Sequence, residues 1–597
     1  MRLPLLALIV ALAGCWTPPG DQEFATPEPP TPEVDPRLLC TQEGATRCDD
    51  NRFQTCIDGA WSAGIACEAP SPLCHPQDGC GSCPAGTAYC LGRDIWQCDE
   101  SGQLATFIEE CGPTETCLAG ACYDACSSAE SQLSYLGCDF LGVPTVNLLG
   151  GEFAFDYAVV VANPSDVPAE VTIRQGGAPY DVVEVPAEDT VAITLPFVED
   201  LQDLDNSVQV ADAAYEVSSS IPVAAYQYNP LHFRAPQALN VFSYTNDASL
   251  LLPEHVLTRN YVVSAWPSLG IAQAPALSYA WTPGYVAITG TTNGTTVTIT
   301  TSAATSPGVG GGAEPGDTIT RTLGRGDVLQ ILSHQPGEEQ TNPCAALGGD
   351  RTQVGDQEYC LSVDSGDLTG TRIEASEPVA VFAGHACTFV PYWEYACDHL
   401  EEMLVPLETW GRTLPVAAPT YPGALPAGPY LLRVITDTPD TLVSFDPPLV
   451  PPTTLAPGDV LEVETQEHVI VEGSAPILVT QLLLGQQALD AQQGDPALGT
   501  AIPVGQWRDT YDFLTPDSYT WNHLNVVAEE GAQIYMDSQL LTDWEDIGGS
   551  DLRVARLRLE PGAHHIESVD AVPFGITSYG YASFTSYLHP GGLNLLR

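Results

Sequence analysis

Cysteines are the residues with the clearest chemistry in this chain, and their spacing limits what that chemistry can be. The 597 residues include 19 cysteines, and 14 of them lie between Cys40 and Cys138. Twelve of these form two similar blocks of about 40 residues, a length at which a domain needs disulfides or a metal to be stable. The blocks are Cys40, Cys48, Cys56, Cys67, Cys74 and Cys80, and then Cys83, Cys90, Cys98, Cys111, Cys117 and Cys122.

The spacing permits either disulfide bonds or zinc ligands. Cys80 and Cys83 form a C-x2-C pair, which is a common spacing for zinc ligands. Eighteen cysteines remain when Cys15, which lies in an N-terminal export signal described below, is set aside, and an even number in an exported protein favours disulfide bonds instead. We therefore expect disulfides and no metal, and the pairs within the two blocks stay open. Further along the chain we expect the pairs Cys344–Cys360 and Cys387–Cys397.

The segment between Cys387 and Cys397 is the sharpest candidate for a binding site. A bridge between its ends would close a short loop and remove about 3 kcal/mol of freedom from the unfolded chain. The loop carries Tyr392, Trp393 and Tyr395. Rigid aromatic side chains serve as contact points for proteins and sugars. The alternative is that these aromatics pack back onto the neighbouring sheet.

Acidic and histidine side chains follow directly after this loop. Asp398 and His399, with Glu401 and Glu402, have the residue types needed for acid–base or metal chemistry. The alternative is a structural hydrogen bond between Asp398 and His399, which we favour. Their role stays unknown, and no catalytic or metal site is assigned to them.

Motifs of the common enzyme classes are missing from the sequence. Glu472-Gly473-Ser474-Ala475 lacks the second glycine of a nucleophile elbow. The zinc-protease, phosphate-loop and dinucleotide patterns are also absent. We predict that the protein is not an enzyme, with a secreted hydrolase as the least favoured alternative.

The elements that position these residues are short strands. From about residue 135 onward, Val, Ile, Thr and Tyr runs alternate with Gly, Pro, Asn and Asp, which is typical of strands and turns. Three landmarks recur in order: an extended strand, a turn, and a strand that begins at a proline. The turn is clearest around Gly326 and Gly458, and the prolines are Pro222, Pro378, Pro476 and Pro573.

The repeats predict an all-β fold of about four sandwich-like modules in tandem, preceded by two small disulfide-rich modules. The alternative is a closed, propeller-like ring. Thr301 to Gly316 and Gln335 to Gly366 are insertions in the second module. The expected boundaries are 138–245, 246–398, 399–497 and 498–597 for the four modules, and 40–126 for the disulfide-rich repeats.

Charge excludes some partners. The formal net charge is −57, and every one of the 19 basic residues is arginine. Such a surface repels nucleic acid and anionic lipid headgroups. It is typical of a saline or extracellular setting, and no cofactor is predicted. Ca2+ is compatible with the charge, but the sequence contains no recognisable calcium loop.

The first residues read as an export signal with a lipid anchor. Residues 1–14 combine one arginine with a short apolar run, and Leu12-Ala13-Gly14-Cys15 resembles a bacterial lipobox. We expect lipid attachment at Cys15, followed by a Pro-rich linker over 15–39 that lifts the protein from the membrane. The expected location is the bacterial outer membrane or cell surface.

One stretch also carries a family resemblance. Gly384-His385-Ala386-Cys387, Cys397-Asp398-His399-Leu400-Glu401-Glu402 and the closing Pro590-Gly591-Gly592 resemble the IgGFc-binding protein N-terminal domain family. The resemblance runs from about residue 138 to the end. It implies an extracellular β domain of adhesive character without known catalysis.

These observations predict a surface-anchored adhesion lipoprotein that recognises a protein or glycan partner. The first alternative is a structural envelope component without a specific ligand. Nucleic acid is excluded as a partner, and contact with the membrane is expected through the lipid anchor only.

Overall fold

The structure is a computed structural model, and it describes most of the chain after residue 85. The described residues are 46–49, 52–57, 60–61, 65–66, 73–75, 79–81, 86–100, 103–148, 155–232, 245–273, 280–309, 311–335, 350–354, 357–361, 366–391, 394, 397–421, 428–488, 493–569 and 571–597. The chain divides into two compact units.

The first unit comprises residues 1–110 and 119–121 and contains small antiparallel sheets. Within it, Cys56, Cys90 and Cys98 are disulfide-bonded. Ile95 and Cys98 are buried, so the cysteines form much of the described core. Its strands are β1 (Thr46–Asp49), β2 (Arg52–Ile57), β3 (Ala60–Trp61), β4 (Ile65–Ala66), β5 (Leu73–His75), β6 (Gly79–Gly81), β7 (Ala88–Leu91), β8 (Asp94–Cys98) and β9 (Leu104–Glu110).

The second unit begins with a disulfide-stapled lead-in to the large β region. It holds β10 (Glu115–Leu118), β11 (Ala121–Asp124) and the helix α1 (Ala125–Glu130). Asp124 caps the helix by accepting a hydrogen bond from the Ser127 N–H. Disulfides join Cys111 to Cys122 and Cys126 to Cys138. The prediction of disulfide bonds is therefore confirmed.

The rest of the second unit is almost entirely β-structure, which confirms the predicted fold class. We keep the four modules as a proposed division, and we move three of the expected boundaries so that Ala248–Leu251, Asp398–Met403 and Ala497–Thr500 close modules 1, 2 and 3 instead of opening the next module. Module 1 contains β12 (Gly137–Gly142), β13 (Tyr157–Asn163), β14 (Ala169–Gln175), β15 (Ala178–Val185), β16 (Asp189–Leu195), β17 (Val208–Val210), β18 (Tyr215–Tyr228) and β19 (Ala248–Leu251). Module 2 contains β20 (Asn260–Val262), β21 (Leu269–Gln273), β22 (Ala280–Thr282), β23 (Gly284–Gly290), β24 (Thr295–Thr300), β25 (Thr318–Leu323), β26 (Val328–Leu332), β27 (Asp350–Val354), β28 (Gln357–Leu361), β29 (Arg372–Ala375), β30 (Val379–Thr388) and β31 (Asp398–Met403).

Modules 3 and 4 complete the chain. Module 3 contains β32 (Gly411–Val416), β33 (Tyr430–Thr436), β34 (Thr441–Asp446), β35 (Thr453–Leu455), β36 (Leu461–Thr465), β37 (Val469–Leu483) and β38 (Ala497–Thr500). Module 4 contains β39 (Thr510–Thr515), β40 (Trp521–Glu529), β41 (Ile534–Met536), β42 (Gln539–Leu540), β43 (Glu545–Asp546), β44 (Leu552–Leu559), β45 (Gly562–Ser568), β46 (Gly575–Ala582) and β47 (Thr585–Pro590). Short 3-10 turns lie at Glu199–Leu201, Glu254–Val256, Leu407–Thr409, Gln486–Ala488 and Val504–Gln506.

The repeated proline marks the point where a strand exchanges one pairing partner for another. In module 1 the first part of β18 pairs with β14 and the last part pairs with β13. Module 3 repeats this arrangement with β37 between β34 and β33. In module 2 the equivalent strand is interrupted at Pro378, between β29 and β30. Proline lacks the N–H that a continuous ladder needs, which suits it to this exchange of partners.

The glycine turn predicted from the sequence also has a physical cause. Gly326 and Gly458 have φ of 77° and 94°, in the left-handed region that favours glycine. One residue further on, Asp327 accepts a hydrogen bond from the Gly324 N–H, and Asp459 accepts one from the Ala456 N–H. The two turns therefore have the same backbone conformation and the same stabilising hydrogen bond.

The last strands of the four modules meet in the middle of the second unit. β19 packs against β31 and β47, and β38 packs against the same two strands. We call β19, β31, β38 and β47 the central ring. The four strands contact one another in a closed cycle, in the order β19, β31, β38 and β47, and the division into four modules stays a proposal.

Contacts between the first and last modules close this arrangement. The hydroxyl of Tyr226 donates to the Gly591 carbonyl at 2.7 Å. The Leu595 N–H donates to the Leu133 carbonyl, and Tyr135 packs beside Tyr511 at 6.3 Å between ring centroids. The C-terminal residues therefore bind the segment that precedes module 1.

Candidate functional site

The acidic stretch singled out in the sequence lies inside the protein. All six residues of β31, from Asp398 to Met403, are buried. The strand is one of the four in the central ring, and each of those strands pairs with a single neighbour in its own sheet. An edge strand presents unpaired N–H and C=O groups, and buried groups of this kind need partners.

Asp247 supplies such partners for all four strands of the central ring. One carboxylate oxygen accepts hydrogen bonds from the N–H groups of Glu401 in β31 and Leu498 in β38, at 3.0 and 2.9 Å. The other accepts from Ala248 in β19 and Leu588 in β47, at 2.9 and 3.4 Å. A carboxylate has about four acceptor positions. Asp247 thus ties four edges together with one side chain.

Burial and hydrogen bonding shift the pKa of Asp247 in opposite directions. Asp247 is fully buried, and burial raises its pKa well above the ordinary value. The N–H groups of Leu498, Glu401 and Ala248 lower the pKa by stabilising the charged form.

Glu402 forms a second tie within the central ring. Its carboxylate accepts hydrogen bonds from the Thr500 N–H at 3.3 Å and the Ser249 hydroxyl at 3.4 Å. The Met403 N–H donates to the Ser249 hydroxyl at 2.6 Å. Side chains of β19 and β31 thus take the place of direct backbone pairing. Burial raises the pKa of Glu402 well above its usual range.

Glu401 anchors a buried network that reaches the first module. Gln227 and Asn229 donate to its two oxygens at 2.7 and 3.0 Å. The Thr145 hydroxyl donates to the same carboxylate, and the His399 ring nitrogen lies 3.5 Å from it. The network connects residues more than 170 positions apart in the chain, so its role is to hold modules 1 and 2 together.

Asp398 and His399 do not form the side-chain hydrogen bond that the sequence suggested. Asp398 accepts from the backbone N–H of His399 at 2.8 Å and from the Ser586 N–H at 3.3 Å. The His399 ring turns the other way, stacks on Tyr285 at 5.9 Å and lies 3.2 Å from the Asn229 side-chain nitrogen. Neither side chain is exposed, so this pair is not placed to act on an external substrate.

Asp495 lies beside Asp398. The Asp495 N–H donates to the Ser586 hydroxyl at 2.8 Å, while the Ser586 N–H contacts Asp398. Burial raises the pKa of both carboxyl groups well above their usual range, and the charge of Asp495 adds to the rise at Asp398.

The aromatic loop has a fixed base. A disulfide joins Cys387 to Cys397, with 5.2 Å between their Cα atoms. Phe389 packs against Leu269, and Val390 belongs to the buried cluster around Trp266. The three predicted contact residues, Tyr392, Trp393 and Tyr395, lie outside the described residues.

Other predicted residues also lie beyond what the structure describes. Cys15 and Cys344 fall outside the described residues, and Cys360 lies on β28 with no description of its side chain. In the part of the chain that is described, no helix is long and apolar enough to cross a bilayer.

The structure adds a cleft that sequence reasoning missed. A cavity of about 380 Å3 lies between modules 1 and 4, and His564 and His565 both line it. Successive side chains of a strand ordinarily point to opposite faces, yet both histidines line this cleft. His564 lies 2.8 Å from an Asp537 oxygen, and His565 lies 2.7 Å from an Asp512 oxygen. The hydrogen bond to Asp512 raises the pKa of His565.

No sequence signal marks this cleft, because its walls come from segments hundreds of residues apart. Glu188 and Asp189 lie on the module 1 wall, facing the histidines of module 4. Across the described residues, His, Cys, Asp and Glu side chains do not converge in groups of three or more that could hold a metal ion.

Comparisons with known proteins agree with the resemblance. A family model described as IgGFc binding protein matches residues 247–580. Human IgGFc-binding protein is 26% identical over 249 residues, which cover 40% of this chain and 4% of the human protein. The chain therefore corresponds to a small part of that relative.

Comparison with solved structures yields only weak likenesses. An anti-sigma factor domain-containing protein from Clostridium clariflavum has a TM-score of 0.10 and 9% identity, over 73% of this chain and 98% of that one. A tetra-tandem repeat from the extending region of a large adhesion protein has a TM-score of 0.07 and 9% identity, over 77% and 99%. Neither carries an argument about this fold. The family match covers more than half of the chain, and it shows that this protein belongs to the IgGFc-binding protein family.

Proposed function

We propose that this chain is an exported, non-catalytic adhesion protein, attached by a lipid at Cys15, that binds a protein or glycan partner through the aromatic loop between Cys387 and Cys397. The observation that carries the proposal is the burial of the family's acidic motif. Asp398, His399 and Glu401 are buried, and the hydrogen bonds of the two carboxylates connect modules. Recognition must then use the surface.

The loop is the best surface candidate because its base is rigid. The disulfide fixes both ends, and the Gly485 N–H donates to the Val390 carbonyl at 2.7 Å, which ties the loop to module 3. Fixed ends reduce the conformational freedom that a short loop can lose when a partner arrives. Tyrosine and tryptophan are the side chains most often found at binding hot spots.

The test compares two sets of alanine variants of the full chain in detergent, on arrays of extracellular proteins and glycans. The first set replaces Tyr392, Trp393 and Tyr395. The control is Tyr123→Ala, because Tyr123 is 51% exposed on β11 and lies outside the loop. We expect the loop variants to lose at least about tenfold in affinity and the control to bind normally. Equal binding by all variants would refute the loop as the contact.

A second candidate function is a structural envelope component that assembles through strand edges. Its support is β15, an eight-residue edge strand of its sheet. Tyr180 and Val182 on it are 51% and 56% exposed. Exposed edges can pair with another chain. Discrete oligomers of the extracted protein that dissociate on Val182→Lys would favour this function, whereas a monomer would exclude it.

A further inference from the structure

Five carboxylate side chains are buried in and beside the central ring, and no described arginine forms an ion pair with them. Each is at most 2% exposed. Among the described arginines, the fully buried one is Arg433, and it is paired with Asp367 and Glu462 in another part of the unit. Buried charges in proteins are normally paired with an opposite charge or bound to a metal. The five are Asp247, Asp398, Glu401, Glu402 and Asp495.

Four of the five have hydrogen-bond donors. Asp247 has four N–H groups, Glu401 has three side-chain donors, and Glu402 and Asp398 have two donors each. Asp495 is the exception.

Both carboxylate oxygens of Asp495 are buried, and among the described residues neither has a hydrogen bond of normal geometry. The Gln486 backbone amide is near enough to lower its pKa without making such a bond. A wholly buried carboxylate without donors is neutralised either by a proton or by a bound cation.

Asp398 and Asp495 share a neighbour, Ser586. Ser586 contacts both residues, through its N–H to Asp398 and through its hydroxyl to the Asp495 backbone. The Tyr519 hydroxyl also lies there, 3.4 Å from the Ser586 carbonyl oxygen, and it senses the charge of Asp398. The group contains oxygen ligands only, and they come from modules 2, 3 and 4.

We infer that Asp398 and Asp495 together bind a hard cation of the calcium type at the end of the central ring. Carboxylate, hydroxyl and carbonyl oxygens are the ligands that calcium takes. Two carboxylates with neutral oxygens suffice for this site, which is consistent with the lack of a cluster of three acidic or histidine side chains among the described residues. The cation joins β31 and β38 to β47, and it is independent of the proposed binding loop.

The first experiment measures calcium in the full-length wild-type protein after denaturation and refolding in calcium, followed by desalting into calcium-free buffer. We expect about one tightly held calcium ion per chain. We also expect a higher melting temperature after refolding in calcium than after refolding in chelator. Refolding removes the concern that a chelator cannot reach a buried ion.

Variants then assign the site. Asp495→Asn and Asp398→Asn are each expected to lose the ion and the difference between the two refolding conditions. Asp543→Asn, at an exposed position, is expected to keep both. The inference fails if the wild type holds no calcium and melts identically after both treatments. If the wild type holds no calcium and Asp495→Asn weakens the rise of its melting temperature toward acidic pH, the two carboxyls instead share a proton.

Discussion

Replacing Asp247 by asparagine is expected to lower the free energy of unfolding, because the substitution weakens hydrogen bonds to strands of all four modules. The carboxylate accepts four backbone N–H groups, two on each oxygen. Asparagine keeps one acceptor oxygen, so its amino group would face two of those donors. A buried donor without an acceptor costs about 1–3 kcal/mol, so the two together cost about 2–6 kcal/mol.

The smaller desolvation cost of the neutral amide offsets part of this loss. We therefore expect the free energy of unfolding to fall by about 3 kcal/mol. The assay is urea unfolding of the second unit's transition in the full chain, followed by tryptophan fluorescence. Asp543→Asn, at an exposed site, is the matched control. A change of less than about 0.5 kcal/mol for Asp247→Asn would refute the tie between the four strands.

Three further predictions concern single side chains. Burial raises the pKa of Glu402, so the contribution of Glu402 to stability is complete at acidic pH and is lost as pH rises through its folded pKa. Glu402→Gln should therefore flatten the fall of the melting temperature with rising pH. An unchanged pH profile would contradict the role given to Glu402. The hydrogen bond to Asp512 raises the pKa of His565, so this pair stabilises the protein at low pH and the stabilisation disappears as pH rises through the folded pKa of His565. Asp512→Asn should lower the His565 pKa in an NMR titration. An unshifted pKa would exclude the pairing. Gly326→Ala should lower the free energy of unfolding by about 1 kcal/mol because φ at Gly326 is 77°. Gly505→Ala is the control, because Gly505 has no positive φ and has open space around it, and it should change thermal unfolding little. Equal losses of stability would contradict the explanation of the turn.

The elements of the fold are visible in the sequence because they obey local rules. Tyr157-Ala-Val-Val-Val-Ala is a run of β-formers, and the structure buries all of it in β13. The positive φ at Gly326 and Gly458 is likewise a local property of a turn. Residue type and spacing suffice for features of this kind.

The candidate site is less predictable from the sequence because the contacts that form it join residues far apart in the chain. Asp247 contacts the N–H of Leu588, 341 positions away in the chain. Its partners are backbone groups of edge strands, and no residue type marks them in a sequence. The same limit applied to Asp398 and His399, whose composition suggests chemistry although their surroundings make them structural.

Hydrogen exchange of the wild-type protein tests most directly whether the buried acidic motif joins the modules. Peptides that cover β19, β31, β38 and β47 should be among the slowest to exchange, and they should open together at one rate, because one carboxylate binds an N–H from each strand. Exchange at four different rates, module by module, would contradict the account and describe independent domains along a chain.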